Sequence, residues 1–276
     1  MKRHLGDENF EKFLKDFDFL FKIIRNSKGE LDLRLRGKCF NLYYQGNSLA
    51  KVSFKGTNYE ISIHKKFIEQ GKIFCDDDRF QMTNDGKSSY SSILLYSTLL
   101  RPFFQQKYLS ALCRKIREVN YSEELKFEQM LITDNFDRED FFILDRQVTE
   151  PNFRGRVDLL ALKQKNDNQY HFVVIEIKLG KNPELKKEAL EQLNYYIDHI
   201  QKNINDWKKC YKMYYSQIKQ TGIFKLPSFK SIEILDEIKG AILVCGYSGL
   251  ARENIENLNT IYPNTKVIQL KYEMKI

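Results

Sequence analysis

Apolar residues at Phe10, Phe13, Leu14, Phe17, Leu20, Phe21 and Ile24 fall three and four apart, which predicts one amphipathic helix over residues 9–26. The Ser27-Lys28-Gly29 run ends it. From Glu30 to Phe67 the period drops to two. Leu31, Leu33 and Leu35 alternate with Asp32, Arg34 and Arg36, and further strands are expected around Phe40–Tyr44, Ala50–Phe54 and Tyr59–His64. Gln45-Gly46-Asn47 and Lys55-Gly56-Thr57 supply turns, so this stretch reads as a small antiparallel sheet. Residues 76–90 are polar and read as loop, and residues 91–118 return to a helical pattern that ends in Arg114, Lys115 and Arg117.

Beyond that point helix and strand alternate. Ser122 is placed to cap a helix through about Thr133, with Glu123 and Glu124 in the first turn, where the helix dipole favours anions. Phe141–Val148, Arg156–Leu162 and Phe172–Lys178 read as three successive strands, the last with the apolar run of a strand buried on both faces. Pro183 opens a helix to about Gln201, and a strand (Gly240–Gly246), a short helix (Gly249–Leu258) and a final strand (Lys266–Tyr272) follow. The expected fold class is α/β: a core of helix, three strands, helix and strand over residues 119–276, preceded by a smaller basic α+β domain over residues 1–118.

Charge sharpens that division. Residues 1–118 hold 22 Lys+Arg against 14 Asp+Glu, whereas the remainder holds 23 of each, so the whole excess of +8 lies in the first part. Such asymmetry is a usual footprint of a polyanionic partner, the plainer alternative being a basic surface kept for solubility. The longest apolar stretch, Ile93–Leu100, is far short of the ~20 residues a membrane span needs. Asp7, Glu8 and Glu11 precede any apolar run, so no signal peptide is read. Five scattered cysteines argue against a disulfide framework or a cysteine-bound metal and suit the cytoplasm, the expected location. The four histidines are also scattered, and none reads as a ligand.

The chemistry-bearing residues lie in the second part. Glu176 and Lys178 stand two apart in a strand, hence on one face, inside an otherwise apolar run. Burying both is costly unless they are paired or bind a metal. Such a pair is also what an edge-strand salt bridge looks like. Were a neighbouring strand to bring Asp158 beside Glu176, the two carboxylates would repel, and a hard divalent cation would resolve the repulsion. Gln192 and Tyr196 lie one turn apart on a helix face, a spacing that also arises by chance. Glu128, upstream, reads either as a third carboxylate reaching the site or as a solvated surface residue.

In this order and on these elements, GRVD (Gly155–Asp158), EIK (Glu176–Lys178) and QLNYY (Gln192–Tyr196) resemble the GxxD, ExK and QxxxY motifs of the PD-(D/E)xK nuclease superfamily, most closely its RecB-like branch. The resemblance covers roughly residues 121–200 and implies a restriction-endonuclease-like core. It implies that Asp158 and Glu176, with the carbonyl of Ile177, coordinate Mg²⁺, for which Mn²⁺ can substitute. Lys178 would position or activate the attacking water and stabilise the developing charge. Glu128 would support the metal or the lysine, and Gln192 and Tyr196 would orient the motif or the nucleic-acid backbone. The Pro-Asp dipeptide that names the superfamily is Val157-Asp158 here, the cysteine cluster of some RecB-like exonucleases has no counterpart, and no helicase P-loop is present.

The expected function is therefore metal-dependent hydrolysis of DNA in defence, restriction or repair. A catalytically silent nucleic-acid-binding module and a nuclease acting on RNA are the alternatives. Arg34, Arg36, Lys38, Tyr44 and Lys51 are candidate nucleic-acid contacts, because cations interleaved with aromatics suit stacking beside phosphate binding. Arg154 and Arg156, which flank the GRVD glycine, join them, whereas Phe40 and Phe54 fit a small core equally well. Double-strand cutting needs two sites, so a homodimer is expected, and residues 1–118 are also a candidate surface for a protein partner.

Overall fold

The computed structural model describes residues 2–68, 73–83, 86–119, 122–150, 153–227, 231–246, 252–253, 255 and 266–270. They divide into two units, residues 2–137 with 213–225, and residues 138–212 with 226–276.

In the first unit, the amphipathic stretch forms two helices, α1 (Asp7–Asp16) and α2 (Asp18–Asn26), broken at Phe17. The break turns Phe17 fully inward, where its ring meets Phe13, Phe40, Tyr59 and Phe104. Five strands follow: β1 (Leu31–Arg36), β2 (Cys39–Tyr44), β3 (Asn47–Lys55), β4 (Asn58–His64) and, after the short α3 (Lys65–Ile68), β5 (Tyr90–Tyr96). They form one antiparallel sheet in chain order. Leu33, Leu35, Phe40, Leu42, Val52, Tyr59, Ile61, Ile63 and Leu95 are buried on its packed face.

β5 corrects the helix expected over 91–118. Ser91, Ile93 and Leu95 alternate inward and pair with β4, so the helical pattern begins only with α4 (Ser97–Phe103) and continues in α5 (Gln106–Val119). A short apolar run satisfies both periods, and an available sheet edge decides between them. The unit also claims α6 (Glu123–Asp134). Gln129 on that helix donates to the Gly29 carbonyl at 2.7 Å and accepts from the Gly46 amide at 3.3 Å. Gly29, at φ +88°, passes so close that a Cβ there would lie 3.0 Å from the Thr133 backbone. The division therefore falls after Asp137, later than the change in charge near 118, and the first unit is not the smaller one.

The second unit is built on a mixed sheet. β6 (Phe141–Val148), β7 (Val157–Asn166) and β8 (Gln169–Leu179) run antiparallel. The 3₁₀ turn Pro183–Lys186, α7 (Glu188–Lys202) and α8 (Ile204–Thr221) precede β9 (Glu233–Cys245), which lies parallel to β8, and β10 (Lys266–Leu270) lies parallel to β9. The strand order is β10-β9-β8-β7-β6. α7 packs on β8 and β9, and Gly240 makes room for it: a Cβ there would sit 2.8 Å from both Leu193 and Ile197. Trp207 and Tyr211, in the part of α8 that belongs to this unit, pack against Phe172 of β8. Three strands, a helix and a strand follow one another in the expected order, with α8 inserted before β9, while the helix that precedes them in sequence belongs to the other unit. The expected helix at Gly249–Leu258 falls mostly outside the described residues, as do the last two residues of the expected strand at Lys266–Tyr272.

Candidate active site

The β8 strand carries its two charged residues toward α7. Phe172, Val174, Glu176 and Lys178 share the face of the strand that this helix covers, and the burial is deep: Glu176 is 1% exposed and Lys178 8%. β7 lies alongside in a register that pairs Leu159 with Ile175, which brings Asp158 level with Glu176. The Asp158 carboxylate accepts a hydrogen bond from the Ile177 amide at 2.9 Å, clamping the end of β7 to the centre of the Glu176–Lys178 motif.

Lys178 is held by three acceptors. Its ammonium lies 2.9 Å from the Glu176 carboxylate, 2.6 Å from Glu184 and 3.3 Å from the Gln192 amide oxygen. Burial disfavours its charge, but the hydrogen bond to Glu184 and the charges of both glutamates outweigh that, so its pKa is raised and it stays an ammonium. Glu176 behaves in the opposite way. Burial first, and then the neighbouring Asp158 charge, push its carboxyl up to about 8 despite Lys178. Its Oε2 is buried with no hydrogen-bond partner.

That oxygen, beside a second carboxylate whose negative charge it feels, fits a divalent cation. Mg²⁺ is commonly held by one or two carboxylates and keeps waters and substrate phosphate in its remaining positions. Among the described residues no group of three or more Asp, Glu, His or Cys side chains is arranged to hold a metal, so two carboxylates are what the protein offers here.

The glycine of GRVD has a steric reason. Gly155 sits at φ +131°, and a Cβ on it would lie 2.7 Å from the Tyr196 ring and 2.8 Å from its hydroxyl. The Tyr196 hydroxyl accepts from the Arg156 amide at 3.2 Å and from the side-chain amide of Gln192, whose oxygen meets Lys178. The QxxxY pair thus joins the loop before Asp158 to the lysine. Gly155→Ala is expected to strain this junction by about 1–3 kcal/mol. The variant should melt at lower temperature than wild type and bind Mn²⁺ more weakly by calorimetry; unchanged values would show that the close approach is dispensable.

Glu184 is the residue that sequence reasoning missed. It stands in the first turn after Pro183, where Asn182 accepts from its amide at 3.0 Å. An acid just beyond the strand that ends in Lys178 was the available signal. Arg154 and Arg156 are exposed next to Asp158. Glu128 is buried on α6, in the other unit from Asp158 and Glu176.

Of the remaining candidates, Lys38 and Lys51 are exposed and Arg36 half-buried. Arg34 and Tyr44 need correction. Arg34 is fully buried, with its guanidinium 2.7 Å from the buried Asp32, so it is not presented to a phosphate. Tyr44 is buried on the packed face of its sheet.

No protein-family profile matches this chain, and no curated protein matches it. Among solved structures, an EndoMS-dsDNA2 complex aligns over 89% of this chain and 78% of its own, at 11% identity and a TM-score of 0.27. At that score the similarity defines neither fold nor function.

Proposed function

We propose that this chain is a metal-dependent nuclease that hydrolyses phosphodiester bonds of DNA at Asp158, Glu176 and Lys178. The observation that carries the reading is the buried Glu176 oxygen without a hydrogen-bond partner, set beside Asp158 and one strand position pair from a buried ammonium. Two repelling carboxylates in a largely apolar sheet are costly to keep unless something of opposite charge joins them. A divalent cation held there would neutralise phosphate charge and make water a better nucleophile.

The chain's own groups supply the rest. Asp158 and Glu176 fix the position of the acceptor oxygens on two adjacent strands. Lys178, kept charged, acts as a cation rather than as a base, and its contact with the half-exposed Glu184 is the one a scissile phosphate would replace as hydrogen-bond acceptor. Gln192 aims Lys178, and Tyr196 holds the Gly155–Arg156 loop against the site. The exposed Arg154 and Arg156, four and two residues before Asp158, would pair with backbone phosphates of a bound strand.

The test is incubation of the full chain with supercoiled plasmid, single-stranded DNA and RNA in Mg²⁺, Mn²⁺ or EDTA. Cutting of DNA with either metal and none in EDTA is the expected result. Exclusive cutting of RNA would replace the substrate, and binding without cutting under every condition would overturn the catalytic reading.

A further inference from the structure

The outer face of the first unit's sheet is closed at β1, where Asp32 and Arg34 are buried, but lies open over β3–β5, and there it is unlike an ordinary solvated face. Among the described residues six large hydrophobic side chains are exposed, and three of them occupy alternate positions of β5: Tyr90 at 44%, Leu94 at 58% and Tyr96 at 64%. The register sets His64 beside Tyr90, Glu60 beside Leu94 and Asn58 beside Tyr96, with Lys51 and Lys55 one strand further in. The His64 and Tyr90 rings meet edge-on at 5.2 Å. Lys51 and Lys55 are exposed, and the acid of this patch, Glu60, lies 3.4 Å from the Lys55 ammonium. Aromatic rings therefore stand in a row beside a net positive charge, in the part of the chain that holds the whole cationic excess.

We propose that this face, through Tyr90, Tyr96 and the neighbouring Lys51 and Lys55, binds single-stranded nucleic acid by stacking bases on the tyrosines and pairing phosphates with the lysines. It rests on the reading of the chain as a nuclease and names the form of its substrate. Exposed rings offer stacking to any base whose face is free, and lysines alongside track the backbone without reading sequence. A duplex, whose bases already stack on one another, offers such rings far less. A second copy joining edge to edge fits less well, because Thr83 already exchanges two backbone hydrogen bonds with Ser92 in the middle of β5, at 2.8 and 3.0 Å. The patch also carries lysines that would face each other across a self-association interface.

The experiment measures binding in EDTA, so that it cannot fail merely because cutting fails. Fluorescence anisotropy of a labelled oligo-dT and of a duplex of equal length would be recorded with the full chain and with Tyr90→Ala/Tyr96→Ala, Tyr90→Phe/Tyr96→Trp and Lys51→Gln. Wild type should bind the single strand more tightly than the duplex. The alanine pair should weaken single-strand binding by about tenfold or more, and the aromatic pair should retain it. Lys51→Gln should lower the salt slope of binding by about 0.7. All these side chains are at the surface, and melting curves of the variants check that each is folded. Equal binding by wild type and the alanine pair overturns the proposal. So does an unchanged affinity accompanied by a change in oligomeric state in size-exclusion chromatography with light scattering, which would assign the patch to a second copy. Ring-dependent binding by a chain that cuts nothing leaves this face standing and removes the catalytic reading instead.

Discussion

Lys178→Met is expected to lower Mg²⁺-dependent DNA cleavage by on the order of 10²–10³-fold, the usual loss when one buried donor to a developing oxyanion is removed. Methionine keeps the length of the side chain and its apolar stem, so the packing of β8 beneath α7 survives. What disappears is the positive charge that lies 2.9 Å from Glu176 and 2.6 Å from Glu184. Single-turnover rates on saturating DNA should show the loss in the chemical step, with DNA affinity in EDTA close to wild type. Glu184→Gln separates the two duties of that neighbourhood. It removes one of the carboxylates that keep Lys178 charged while leaving the ammonium in place, and Glu184 is about half exposed, so the rate should fall about tenfold or less. A full rate in Lys178→Met would remove the lysine from the mechanism. Losses of equal size in both variants would place the effect in local structure instead.

The site was legible in sequence where burial made a charge improbable. Glu176 and Lys178 interrupt an apolar strand, and the period of two puts them on one side, where they are found paired. Gln192 and Tyr196 were legible only as a spacing. Their joint task appears once Gly155 is seen to pass within contact distance of the Tyr196 ring, a tertiary relation between residues 41 positions apart in the chain. Glu184 was hidden because its reach to Lys178 depends on how the chain reverses after β8. The same limit explains the errors in the first unit. Arg34 alternates with leucines and so reads as a cation available to a phosphate, yet it is buried with its guanidinium 2.7 Å from the buried Asp32. The run around Ile93 and Leu95 fits a helix or a strand, and only the free edge of β4 selects the strand. α6 carries a helix pattern of its own, and nothing local in it announces that Gln129 will bind the turns at Gly29 and Gly46.

Glu176→Gln should do two opposite things at once: abolish cleavage and stabilise the metal-free protein. In the folded chain the Glu176 carboxyl is pushed up to about 8 by burial and by Asp158, whereas in the unfolded chain it returns to the model-peptide range, ~4.3. A group whose folded pKa lies above its unfolded one costs stability as pH rises, because the unfolded chain has already released the proton that the folded chain still holds. The cost of Glu176 therefore grows between about pH 4.5 and pH 8 and is fully present above that. Glutamine has the same shape and no charge, so the melting temperature of the variant should match wild type near pH 4 and exceed it above pH 8. The difference should be on the order of 1–3 kcal/mol, or roughly 2–10 °C. Loss of the contact with Lys178 opposes this gain, but Glu184 still holds the ammonium. Saturating Mg²⁺ should then raise the melting temperature of wild type and leave that of Glu176→Gln nearly unmoved, since a ligand stabilises only the form that binds it. If the variant melts lower than wild type at every pH, the Glu176–Lys178 contact is a net structural tie. The two carboxylates would then not be held in readiness for a cation.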